Sequence, residues 1–173
     1  MNILDLTKEH IKLLNDDDLR TLIGLLVEKE VKSKNISSSS IRYGGNQNST
    51  DSGIDVMVEI PDEQSISGYI KKPITGFQVK TTDFQPSKIK YEMCPKNILR
   101  EYIVKLAEQN GAYIIVSGHA DLSLKSYNNR INEMNNAIDS ISIKHNLCLD
   151  YYDSNHIAIW VRNYTDIAVW VCN

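Results

Sequence analysis

The sequence predicts an α/β domain, on three observations. Two alternating runs, Ile54-Asp55-Val56-Met57-Val58-Glu59-Ile60 and Ile74-Thr75-Gly76-Phe77-Gln78-Val79-Lys80-Thr81, have the period of two that defines strands. Ala112-Tyr113-Ile114-Ile115-Val116-Ser117 is a short continuous apolar run, the pattern of a strand covered on both faces. Between and around them lie stretches with apolar residues three and four apart, the spacing of amphipathic helices.

The 173 residues suit one domain with a sizeable core. Hydrophobic content of 42% with 24% charged residues is ordinary for a globular chain. The net charge of −3 speaks against a surface that is basic throughout but leaves room for a local phosphate site. Cys94, Cys148 and Cys172 are odd in number and lack CxxC spacing, so free thiols in a reducing cytoplasmic setting are expected. No apolar run reaches the ~20 residues a membrane helix needs, and no signal peptide opens the chain, so no membrane partner is expected.

In order, a short helix is expected within 3–14, with its start at Lys8 if Thr7 caps it. Asp16, Asp17 and Asp18 signal the start of a second helix over about 17–34. Leu19, Leu22, Ile23, Leu26 and Glu30 fall on one face of it, which puts a carboxylate at the end of an apolar stripe. Residues 36–42 read as a loop or short edge strand, and 61–73 as an exposed hairpin connection carrying Lys71 and Lys72 at its tip. The stretch 81–95 has no clean period and leads along the edge of the site, with Lys88, Lys90 and Glu92 in it. Pro95 opens and Gly111 closes an expected helix over 95–110. After the turn Gly118-His119-Ala120-Asp121, Asp121 or Ser123 caps a long helix to about His145. A strand over 147–152 and helices over 154–161 and from 165 complete the chain, which is still apolar near Asn173 and is expected to continue into a longer protein.

The two alternating runs carry the candidate chemistry. If they are neighbours, Val56, Val58, Phe77 and Val79 share an apolar face, with Ile54 and Ile60 in line with them. The opposite face then gathers Asp55, Gln78 and Lys80: a carboxylate, an amide oxygen and an ammonium. Phosphodiester hydrolysis needs an activated water and stabilisation of the charge on the attacked phosphate, which Mg²⁺ held by hard oxygen ligands supplies. Asp55, Gln78 and the Val79 carbonyl are the candidate ligands, and Lys80 the group that orients the nucleophile or holds transition-state charge. Glu30 is the candidate acid from the preceding helix, with Glu28 as the alternative.

Asp51-Ser52-Gly53-Ile54-Asp55 followed by Gln78-Val79-Lys80 resembles the PD-(D/E)xK nuclease superfamily, in its Mrr-like restriction endonuclease branch. Ser52 stands where that pattern has glycine, and Gln78 where the superfamily name has an acid. The Tyr43-Gly44-Gly45 lead and the Glu28-Lys29-Glu30 helix are similar to the subgroup found as N-terminal effectors of antiviral STAND NTPases. The resemblance spans about 17–118. It implies a restriction-endonuclease-like mixed central sheet flanked by helices, a single nuclease domain over 1–173, and Mg²⁺ (or Mn²⁺) as cofactor. It implies cleavage of double-stranded DNA with little sequence specificity, activity as a homo-oligomer, and a C-terminal NTPase and sensor region as a further partner. An RNA nuclease, or a non-catalytic nucleic-acid-binding or assembly module, is the alternative.

Overall fold

The computed structural model describes residues 6–43, 53–60 and 68–172. The Gly44-Gly45 lead, Asp51-Ser52 and the outer part of the expected hairpin connection lie outside them. The fold is α/β: a five-stranded mixed sheet flanked by helices. The strands are β1 (Ile41–Tyr43), β2 (Val56–Glu59), β3 (Ile74–Lys80), β4 (Ala112–Ser117) and β5 (Cys148–Tyr152), in that spatial order. The pairs β1–β2 and β2–β3 are antiparallel, and β3–β4 and β4–β5 are parallel.

The alternation in the sequence becomes two separate cores. Val56, Val58, Phe77, Val79, Ile114, Val116 and Tyr152 face one way. Onto them pack α1 (Lys8–Lys12), α2 (Asp16–Ser33), α6 (Ser154–Val161) and α7 (Thr165–Val171). Leu19, Leu22, Ile23, Leu26, Val27 and Val31 are fully buried stripe residues of α2. Each such side chain contributes about 1.5–3 kcal/mol relative to exposure. Tyr113, Ile115 and Tyr151 face the other way, against α3 (Pro86–Met93), α4 (Glu101–Glu108) and α5 (Leu124–Ala137). Both parallel connections, β3 to β4 and β4 to β5, cross over this second face, as right-handed crossovers must when the strands advance in one direction.

Local departures from the expected elements have identifiable causes. The cap of α2 is Asn15, whose side chain accepts from the backbone N–H groups of Asp17 and Asp18, so the helix begins one residue early. Residues 81–95 contain α3, started by Pro86 at its first turn and anchored by buried Ile89 and Met93. Pro95 opens only a 3-10 turn, because Lys96 (φ 55°) and Asn97 (φ 62°) take left-handed conformations, and the helix proper starts at Glu101. Ser123, not Asp121, caps α5, and Asp121 pairs with Lys8 instead. That helix stops at Ala137, where an Asp139–Lys144 ion pair at 2.5 Å closes the following turn. Ile54 leaves the expected face: β2 starts only at Val56, and Ile54 packs on the second core, in the space a Cβ on Gly76 would need. Lys71 stays exposed, as expected, but also pairs with Asp150 at 3.1 Å over the Tyr152 ring.

The turn from α4 into β4 depends on a missing side chain. A Cβ on Gly111 would stand 2.8 Å from the Ile74 carbonyl oxygen and 3.0 Å from that of Leu106. Both are backbone atoms held in place, so Gly111→Ala is expected to lower unfolding stability by roughly 1–3 kcal/mol in a urea titration, with the slope unchanged.

Candidate active site

The candidate residues converge at one end of the sheet, where β3 finishes and its antiparallel neighbour β2 begins. Asp55 sits at the β2 entry, with its N–H on the Phe77 carbonyl at 2.8 Å. Its Oδ2 accepts the Val79 N–H at 2.7 Å, so the carboxylate is tied to β3. The preceding Gly53 has a left-handed φ of 65° and lies under the Arg100 side chain, where a Cβ would be 3.2 Å from Arg100 Cδ. Arg20, one turn into α2, holds its Nε 3.9 Å from Asp55 Oδ1, an ion pair too long for a hydrogen bond.

Gln78 is placed differently from a metal ligand. It is fully buried, and Tyr113 donates its hydroxyl to Gln78 Oε1, while the amide nitrogen donates to Glu92. Tyr113 pairs with Gly76 across β3–β4, which puts its ring diagonal to Gln78 on the same face. The amide is therefore a connector inside the second core. The carboxylate it connects to, Glu92 on α3, is the group that stands beside Lys80. Lys80 Nζ lies 3.9 Å from Glu92 Oε1, and Arg100 Nη2 donates to the same oxygen at 3.2 Å. Arg100 Nε also donates to the Glu92 carbonyl at 2.7 Å, so one guanidinium fixes both ends of that residue. Val79 contributes its N–H to Asp55, as described; its side chain is core.

Neither expected helical acid joins the cluster. Glu30 is ten residues beyond Arg20 on α2, about 15 Å along the axis, and accepts the Tyr164 hydroxyl at 2.9 Å. Glu28 pairs with Lys32 and accepts the Tyr43 hydroxyl at 3.3 Å. The α2 residues that reach the site come from its opposite end. Asp16 Oδ1 accepts the Thr81 hydroxyl at 2.8 Å and the Thr81 N–H at 3.2 Å, just past Lys80. Among the described residues there is no group of three His, Cys, Asp or Glu side chains that could hold a metal ion. Two carboxylates, Asp55 and Glu92, remain as hard oxygen donors, and such a set suits Mg²⁺ or Mn²⁺, which complete their shells with water and substrate oxygens.

The sequence places Glu92 only in a stretch along the edge of the site, without a role, and does not single out Arg20. A signal for the first existed: Pro86 as a helix start and Ile89–Met93 four apart define a helix that carries Glu92 on its flank. Nothing local distinguishes Arg20 from other helix-surface arginines, and Tyr113 is hidden in an apolar run.

The two rim carboxylates titrate in opposite directions. Burial raises Asp55 above the ordinary carboxylate range, with the Glu92 charge adding to it, against the Val79 N–H, Arg20 and Lys80. The Thr81 hydroxyl and N–H lower Asp16, helped by Arg20 and Lys80. A raised folded pKa means that stability is lost as pH rises through the carboxylate range; a lowered one means that stability present at neutral pH is lost on acidification. Asp55→Asn is therefore expected to melt above wild type at pH 7, and Asp16→Asn below it. Both differences should shrink toward pH 3, and a pH series of thermal melts checks the two signs.

Comparison of the chain with protein-family models, with curated proteins and with solved structures finds no match.

Proposed function

We propose that the chain is a metal-dependent nuclease that hydrolyses phosphodiester bonds of DNA. The observation that carries this reading is the convergence of Asp55, Glu92 and Lys80, from the entry to β2, from α3 and from β3, close enough for both charges to act on Asp55. Two carboxylates and an ammonium grouped at strand ends suit phosphoryl chemistry better than a structural role, because burial makes the Asp55 charge costly to keep. The sequence resemblance to Mrr-like endonucleases supports it through Asp55 and Lys80, with Glu92 taking the part first expected of Gln78.

Asp55 and Glu92 would hold Mg²⁺ or Mn²⁺. When bound, the ion supplies a water of lowered pKa and a counter-charge for the phosphate oxygens. The chain's own groups do the rest. The Val79 N–H fixes the Asp55 carboxylate, and Gln78 and Arg100 fix that of Glu92. Lys80, paired with Glu92 and partly open to solvent, would present its ammonium to a substrate phosphate and hold negative charge as the attacked phosphorus becomes five-coordinate. The resemblance extends the proposal to a cytoplasmic effector domain of antiphage defence that works in assemblies, joined to an NTPase and sensor region. No helix among the described residues is long and apolar enough to cross a membrane.

A plasmid digest with Mg²⁺ or Mn²⁺ tests the reading, run with the chain as such and fused to a tetrameriser. Wild type should nick or linearise DNA. Lys80→Ala, Asp55→Asn and Glu92→Gln should each lose roughly 100-fold or more. Millimolar Mg²⁺ should also raise the melting temperature of wild type more than that of Asp55→Asn or Glu92→Gln. Undiminished cleavage by Glu92→Gln would remove that residue from the site. Cleavage by none of the proteins, at any concentration, would sink the nuclease reading in favour of a nucleic-acid-binding or assembly module. Degradation of RNA but not DNA would change the substrate and keep the site.

A further inference from the structure

Helix α3 carries more than Glu92. Ile89 and Met93, four apart, are its buried edge, which turns a different side of the helix toward the site end of the sheet. Glu92 is on that side, Lys88 is one turn before it, and Tyr91 is three residues on from Lys88. Lys88 is exposed and enters no ion pair among the described residues, although Glu92 lies at the i+4 position from it. Glu92 is turned instead to Gln78, Lys80 and Arg100. Tyr91 is 74% exposed, with its ring largely open to solvent. Lys90 and Lys96, close by in the chain, are likewise exposed and without ion pairs among the described residues. Residues 86–100 hold Lys88, Lys90, Lys96 and Arg100 against Glu92 alone, a local excess of positive charge in a chain of net charge −3.

The chemistry of that surface is a cation one turn from the Glu92 carboxylate and an aromatic plane one turn from that cation. A phosphate fits the cation, and the flat face of an unpaired base fits the ring. A base inside a continuous duplex is already stacked on its neighbours and cannot cover a side chain. Aromatic platforms beside a basic track belong to single-strand recognition. We infer that Lys88 and Tyr91 form a strand-binding track leading to the Asp55–Glu92–Lys80 cluster, and that the strand it takes has unpaired bases. The substrate class is then a single-stranded or locally opened nucleic acid. The inference rests on reading the cluster as a nucleic-acid site, and it narrows what that site accepts.

Fluorescence anisotropy with labelled 12-nucleotide oligonucleotides, in EDTA so that nothing is cut, tests it. The probes are single-stranded DNA, single-stranded RNA and the DNA duplex, titrated with wild type, Tyr91→Ala, Tyr91→Trp and Lys88→Ala. Wild type should bind a single strand more tightly than the duplex. Tyr91→Ala should weaken single-strand binding about 5- to 100-fold, and Tyr91→Trp should retain it. Lys88→Ala should lower the salt dependence on a single strand by about 0.7 in log–log slope. The DNA and RNA arms identify which strand is preferred. Tyr91→Ala binding like wild type, duplex binding as tight as single-strand binding, or no binding of any probe would each overturn the track. The outcome is independent of catalysis. Intact single-strand binding without cleavage sinks the nuclease and leaves the track, whereas cleavage indifferent to Tyr91 sinks the track and leaves the nuclease.

Discussion

A buried amide organises this end of the molecule. Gln78 is a fully enclosed polar side chain of β3, a strand covered on both faces. An amide left without partners there would cost about 1–3 kcal/mol for each unsatisfied group. Its oxygen is met by the Tyr113 hydroxyl and its nitrogen by the Glu92 carboxylate. Meeting the first demand fixes Tyr113 over Gly76 and with it the parallel register of β3 on β4. Meeting the second draws α3 down so that Glu92 stands beside Lys80. The same bonds that satisfy the core therefore set the spacing of the candidate catalytic groups.

The site lies where α/β sheets leave room for chemistry, past the carboxyl end of a central strand. The antiparallel β2 brings its first residues to that end, which is why Asp55 and Lys80 meet although 25 positions separate them. Asp55 is held by the sheet itself, through the Val79 N–H, while Glu92 is held only by tertiary contacts. Those contacts run through a left-handed turn at Lys96 and Asn97 that returns Arg100 onto Glu92. Non-glycine residues in that region cost of order 1 kcal/mol each. Here that cost is offset by the double attachment of one guanidinium to the backbone and side chain of Glu92.

Much of the framework was legible in the sequence. The alternation at 54–60 and 74–81 located β2, β3 and their shared apolar face, and the run 112–117 located the doubly covered strand β4. These are periodic signals, set by which face must be buried, and they survive folding. Lys80 is placed by the alternation at the end of β3, and Asp55 stands just before β2, tied to β3 through the Phe77 carbonyl and the Val79 N–H. Three features were not legible. Ile54 escaped the alternation because β2 starts two residues later and Gly76 offers a vacant place on the other face. Gln78 was legible as facing away from Phe77 and Val79, but not as a residue whose hydrogen-bonding atoms are consumed by the core. The helical acid was sought on α2, where a carboxylate continued an apolar stripe, yet Glu30 ends in a hydrogen bond with Tyr164 from the far end of the chain. A periodic pattern reports burial. It does not report which distant hydroxyl will meet a carboxylate.

Charges of both signs meet at the site, and their unequal settings constrain how it can change. Among the described residues, Asp16, Asp55 and Glu92 supply carboxylates there, and Arg20, Lys80 and Arg100 cations, with Asp17 also pairing with Arg20 at 3.6 Å. Asp16 is bonded to Thr81 at the exposed rim and keeps its charge at little cost, whereas Asp55 is enclosed and keeps it at a net loss. The cations do not relieve Asp55 fully, because Arg20 stands 3.9 Å away and Lys80 is shared with Glu92. Removing Arg20 or Lys80 would take away compensation that Asp55 already lacks, whereas neutralising Asp55 itself removes the buried charge. A divalent cation held by Asp55 and Glu92 would act in the opposite sense, relieving the Asp55 carboxylate that burial disfavours. The strain that the fold places on Asp55 is thus of the kind that ligand binding removes, and it falls on the carboxylate that the sheet holds most firmly.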